Sequence, residues 1–106
     1  IGCTTDGEMT SSGGYTEDAI TLTLFCSQQI QIRAGVGMDA GANPRQSAHQ
    51  ALAQARQGLT QAAKLAIVLP DGLTASAYEV LDACRDQLGG GVPVVGGMSA
   101  DRVTGS

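Results

Sequence analysis

Ile20, Leu22, Leu24 and Cys26 alternate with Thr21, Thr23 and Phe25, and Ile30, Ile32, Ala34 and Val36 alternate with Gln31, Arg33 and Gly35. A period of two belongs to a strand with one apolar face. Only Ser27-Gln28-Gln29 separates the two runs, so the pattern predicts an antiparallel hairpin with its polar face largely open. The period then lengthens. Ala48, Ala51, Leu52, Ala55, Leu59, Ala62 and Ala63 recur at three- and four-residue steps behind Asn43-Pro44, a helix start in which Asn accepts from free amides and Pro fits the first turn. The small residues on that face suit close packing on a sheet, and Gly58 is a weak point at which the helix can break. Leu65-Ala66-Ile67-Val68-Leu69 is a continuous apolar run ending in Pro70-Asp71-Gly72, the pattern of a strand covered on both faces. A second helix is expected from the stripe Ala77, Val80, Leu81, Cys84 and Leu88, with a capping box from Ser76 to Glu79 and glycine stops at Gly89, Gly90 and Gly91. Val92 to Val95 makes the last buried strand.

These elements predict an α/β fold. A mixed sheet holds an antiparallel hairpin followed by two βαβ crossover units, in the order β-loop-β-β-α-β-α-β, with the crossover part parallel and right-handed. The opening strand is the apolar start Ile1-Gly2-Cys3, and the polar, aperiodic segment Met9 to Asp18 reads as a long surface loop. A chain of 106 residues has room for one domain and one core. Because it begins without Met in the tail of a strand and stops just after a turn, it is expected to be a partial domain, residues 1–106 of something longer.

Two look-alike turns stand at opposite ends of the chain. Each runs from a short apolar stretch into glycine and small polar residues: Ile1-Gly2-Cys3-Thr4-Thr5-Asp6-Gly7-Glu8, and Val92-Pro93-Val94-Val95-Gly96-Gly97-Met98-Ser99-Ala100-Asp101. Glycine admits backbone close to a ligand, and the adjacent hydroxyls and carboxylates supply directional hydrogen bonds. In a parallel sheet, ligands gather outside the carboxyl ends of the strands. Cys3 to Glu8, Pro70 to Gly72 and Gly96 to Asp101 occupy such ends. If their strands are neighbours, Cys3, Thr4, Thr5, Gly7, Glu8, Asp71, Gly96, Gly97, Ser99 and Asp101 line one crevice. Amides and hydroxyls would hold the carboxylate of an amino acid or similar small zwitterion, and Glu8, Asp71 or Asp101 its ammonium. The competing reading is that these are ordinary turns with caps.

Composition narrows the partners. Six basic residues stand against ten acidic ones, the basic residues are scattered, and only Tyr15, Phe25 and Tyr78 are aromatic. With neither a basic stripe nor stacking platforms, nucleic acid is not an expected partner. No apolar stretch approaches the roughly twenty residues of a membrane helix. Cys3, Cys26 and Cys84 show no C-x-x-C spacing, which argues against a disulfide framework and a zinc site and for a reducing, cytosolic setting. No metal, cofactor or catalytic residue is assigned.

Two enzymatic alternatives stay open. Cys3 could act as a nucleophile with the Thr4 and Thr5 amides behind it, although the lone His49 lies on the first helix. Gly35-Val36-Gly37-Met38-Asp39-Ala40-Gly41 follows a strand and precedes a helix, as a dinucleotide motif does. There, however, the helix begins inside the glycine run, whereas Asn43-Pro44 starts this one later.

The turn Gly2 to Glu8, the hairpin ending in Gly35-Val36-Gly37, the strand closing with Asp71, and Val92-Pro93-Val94-Val95-Gly96-Gly97 followed by Ser99-Ala100-Asp101 together resemble the amino-terminal FIST domain, in the same order and over the length of the chain. The resemblance implies a sensory domain of signal transduction that binds small ligands such as amino acids, and the first reading taken from it is a non-enzymatic one. It also implies a companion carboxy-terminal FIST domain and, in some members, fused kinase, chemotaxis or cyclic-dinucleotide modules. The opening strand and helix, the later strands and the companion domain of that pattern are not in this sequence. A third reading, in which the companion domain holds the ligand and this one is structural, follows from the same resemblance.

Overall fold

In the computed structural model, which describes residues 1–100, the chain forms two helices, a two-stranded antiparallel sheet and a two-stranded parallel sheet. The expected mixed α/β class is therefore found, with differences in where its strands lie. The elements in order are β1 (Glu8–Thr10), β2 (Gly14–Thr16), α1 (Pro44–Arg56), β3 (Ala66–Val68), α2 (Ala77–Leu88) and β4 (Val94–Gly96).

Both helices start where their caps dictate. The Asn43 side chain accepts from the Gln46 amide with Pro44 in the first turn, and the Ser76 hydroxyl accepts from the Glu79 amide. Helix α1 stops at Arg56, just before Gly58, so the stretch to Ala63 lies outside the helix. Helix α2 ends at Gly89, whose φ of 85° is a conformation glycine adopts without strain.

The two helices pack on each other. Ala48 of α1 meets Val80, Ala83 and Cys84 of α2, and Leu52, Val68 and Val94 close the cluster. Small residues at this contact let the helices approach closely. Strands β3 and β4 pair in parallel, with Ala66 opposite Val94, Ile67 opposite Val95 and Val68 opposite Gly96. This completes one crossover unit, β3-α2-β4. The alternation across it is complete: Val68 and Val94 face the helical core, while Ile67 and Val95 are about half exposed. The expectation that this strand is covered on both faces is thus corrected, since the helices cover only one.

The antiparallel hairpin is not where alternation placed it. Strands β1 and β2 form it from Glu8, the end of the first turn, into the segment Met9 to Asp18 expected to be a loop, pairing Glu8 with Thr16 and Thr10 with Gly14. The tight reversal uses Gly14 at φ 65° and a Gly13 amide donating to Thr10 Oγ1. Residues 20–26 and 30–36 run without a ladder, and Ile1 to Thr5 is likewise not a strand. The stretch 31–38 instead lies along α1. Gln50 and Gln54, one helical turn apart, accept from the Met38 and Val36 amides at 2.9 and 3.1 Å, and Gln31 Oε1 accepts from the Thr60 amide at 3.1 Å. At Gly35 and Gly37 an added Cβ would run into the Ala51 and Ser47 carbonyl oxygens, so glycine at both places lets this segment press on helical backbone. Of the polar side expected to be open, Gly35 presses on the helix, as does Gly37 beyond it, whereas Gln31 and Arg33 stay exposed and reach Thr60 and Gly58 past the end of α1. The apolar side is exposed as well.

Burial pushes the Cys84 thiol above its ordinary range, whereas Cys3 and Cys26 are exposed. Labelling the native chain with a thiol reagent near neutral pH is therefore expected to show two fast sites and one slow one, with Cys84 reacting only on unfolding. Fast reaction of all three thiols would contradict the packing of α1 on α2.

Candidate functional site

Because β3 and β4 are parallel, their carboxyl ends lie at the same edge and bring Pro70-Asp71-Gly72 beside Gly96-Gly97-Met98-Ser99. The Ser99 amide donates to the Pro70 carbonyl at 2.7 Å, the Gly72 amide donates to Ser99 Oγ at 3.1 Å, and the Gly97 amide donates to the Val68 carbonyl at 3.3 Å. The approach is so close that an added Cβ at Gly72 would strike the Ser99 carbonyl oxygen. The amino-terminal turn joins the same edge, where the Ala100 amide donates to the Thr4 carbonyl at 2.9 Å. The three loops predicted to share a rim are neighbours along it.

Within that rim the candidate residues divide. Cys3, Thr4, Thr5 and Glu8 line a cleft of about 370 Å³ together with Asp6, Asp18, Ala19, Ile20 and Thr21. Gly7 lies directly under the Tyr15 ring. Asp71, Gly96, Gly97 and Ser99 belong to the adjoining strand-end loops and are not among the residues that line this cleft. Asp101 lies outside the described residues.

Glu8 organises the cleft. Its carboxylate accepts from the Thr5 hydroxyl and, at 2.8 Å, from the Ala19 amide, tying the first turn to the chain beyond β2. Asp18, at φ 59° in the left-handed region that Asp tolerates, immediately precedes the Ala19 amide. Hydrogen bonds from Thr5 and then from Ala19 hold the Glu8 carboxyl below the usual carboxylate range, so it is ionised at neutral pH. Asp6 and Asp18 add acidic groups, and among the described residues neither Lys nor Arg lines the cleft. Its field favours a cation or the ammonium end of a zwitterion. Asp71 is engaged differently: it accepts from the Thr74 hydroxyl and from the Leu73 amide at 3.0 Å, which lowers its pKa and closes an Asx turn.

Asp6, Asp18, Ala19, Ile20 and Thr21 escaped sequence reasoning. Asp18 carries the one usable signal, an acidic residue at the end of an aperiodic polar stretch, but the contact that places it, from the next residue's amide to Glu8, spans eleven residues and depends on the β1–β2 reversal.

The two depressed carboxyls set a pH dependence. Each is more acidic in the folded chain than in the unfolded one, so each stabilises the fold above the ordinary carboxylate pKa of about 4 and ceases to as the pH falls through its lower folded value. Acid titration followed by amide NMR is expected to loosen 5–19 and 71–74 before α1 and α2, and Glu8→Gln with Asp71→Asn should flatten this response. Helices melting at the same pH as the loops would contradict it.

Among the described residues no helix is long and apolar enough to cross a membrane, and no group of three or more His, Cys, Asp or Glu is placed to hold a metal ion. No curated protein and no solved structure matches the chain. The family model of the FIST N domain matches residues 1–106, so the ordered turns and the α/β elements behind them have one source: the chain belongs to the FIST N family of sensory domains.

Proposed function

We propose that this domain senses a small amino-acid-like ligand without catalysing a reaction, and that the ligand binds at the rim where the amino-terminal turn meets the ends of β3 and β4. The observation that carries this reading is the junction of the three loops through Ala100 to Thr4, Ser99 to Pro70 and Gly72 to Ser99, beside an open acidic cleft. Glu8 and Asp18 take the ammonium. The hydroxyls of Thr4 and Ser99 take the carboxylate where Gly96 and Gly97 leave the rim open, while Thr5, which donates to Glu8, orients that acid. Asp71 shapes its loop, and Asp101 is assigned to the ammonium on sequence grounds.

The cleft around Cys3 offers it Thr, Asp and Glu neighbours, while the chain's lone histidine, His49, sits on the exposed side of α1. That arrangement suits a binding pocket better than a thiol nucleophile, which needs an adjacent base. The Gly35-Val36-Gly37 run is occupied in packing against α1, which removes it from phosphate binding. The setting we propose is cytosolic, with a companion carboxy-terminal FIST domain and fused signalling modules as output partners.

A thermal-shift screen of the full chain against the common amino acids and a few nucleotides tests the reading, because a ligand that binds the folded state raises its melting temperature by mass action. A dose-dependent rise with one amino-acid class is expected. Glu8→Ala and Asp101→Ala should each weaken that ligand by about 1 kcal/mol or more, at least fivefold. Unchanged affinity in both variants removes these residues from the site, and a rise only with a dinucleotide overturns the ligand class.

A further inference from the structure

The segment 19–38 carries an apolar ribbon that no described residue covers. Ile20, Leu22 and Leu24 are 95%, 77% and 82% exposed, and Ile30, Ile32 and Val36 are 66%, 51% and 55% exposed. Three further observations bear on what covers it. The first is charge: Arg33 is the one charged residue between Asp18 and Asp39, and its side chain packs on Gly58 and donates to the Ile32 carbonyl, away from the alternating apolar positions. The ribbon face is therefore uncharged in a chain of net charge −4. The second is backbone: residues 20–26 make no hydrogen bond to another described segment, so they present the free amides and carbonyls of an unpaired edge, with side chains at strand period.

The third is area. At about 60–120 Å² of apolar surface per large aliphatic side chain, the six residues at their observed exposures, with Phe25 and Met38, offer on the order of 500 Å². A homodimer interface of standard size takes about 800 Å² per partner, roughly 65% of it apolar, which is about 500 Å². An uncharged ribbon is also self-complementary, as a two-fold interface requires, and it lets two acidic chains meet without opposing like charges at the contact.

We infer that the ribbon 20–36 is the interface with a second copy of this chain, formed by strand pairing between the two edges. Sedimentation of the full chain over a wide concentration range is expected to give a monomer–dimer equilibrium. Leu22→Glu combined with Ile32→Glu should shift it to monomer without changing the helical circular dichroism, and Ile67→Glu, on the outer face of β3, should leave the dimer intact. As a measurement independent of any variant, amides of 20–36 should be protected from hydrogen exchange at dimer concentration and lose that protection on dilution. A monomer at every concentration overturns the inference, and protection that persists in it assigns the ribbon to another part of the same polypeptide. A dimer that survives both charged substitutions, or an open-ended aggregate in place of a dimer, overturns it as well.

Discussion

Replacing Gly96 by alanine is expected to destabilise the domain by about 3 kcal/mol or more, seen as a fall of roughly 12 °C or more in melting temperature. Two costs combine at this position. Its φ of 146° is one that residues with a side chain rarely adopt, and a Cβ built there would run into the backbone oxygen of Val68 on the paired strand. The neighbouring strand cannot move away, because Val68 is held by the Gly97 amide and packs on the helical core. Gly97 is the matched control. A Cβ there meets nothing within 4 Å and its φ is ordinary, so Gly97→Ala should change the melting temperature little. Equal effects at the two glycines would mean that β4 does not end on β3 as described.

Ala83→Asp is expected to abolish cooperative folding. Ala83 is fully buried where α2 meets α1, with Ala48, Val80 and Cys84 beside it, and none of these offers a hydrogen-bond partner suited to a carboxylate. Burying an unpaired charge costs several kcal/mol, roughly 3–5 in the measured cases of broken buried pairs, against a total stability of about 5–15 kcal/mol for a domain. Tyr78→Asp is the control on the same helix, since that side chain is 75% exposed. Thermal or denaturant unfolding should show a lost or collapsed transition for Ala83→Asp and a nearly unchanged one for Tyr78→Asp. A cooperative Ala83→Asp would place the α1–α2 contact elsewhere.

What the sequence made legible is what local chemistry decides. Asn43-Pro44, Ser76 and Gly89 mark helix boundaries because caps act within a turn, and the aliphatic cores of β3 and β4 stand out as runs between turn residues. The two runs of alternating residues misled because period two reports an extended chain without naming its partner. Gly35 and Gly37 let that chain lie on α1 by its polar side, with Gln50 and Gln54 supplying the acceptors a neighbouring strand would have supplied. The β1–β2 hairpin was illegible for the opposite reason: three-residue strands are too short to show a period.

The candidate site was legible in part. Parallel strands with carboxyl ends at one edge follow from the crossover pattern, and they brought Asp71, Gly72, Gly96 and Ser99 together as expected. The roles of the acids were not legible. Whether Asp71 faces a ligand or closes its own turn depends on Leu73 and Thr74, and Glu8 is set by an amide eleven residues away.

The most direct measurement of the central claim is an amide NMR titration of the full chain with each common amino acid in turn. The account predicts saturable shifts confined to residues 3–8 and 18–21 and the loops 70–73 and 96–99, appearing with one class of amino acid and weakened by Glu8→Ala. Saturable shifts on the exposed faces of α1 and α2, or shifts that leave the three loops untouched, would contradict it.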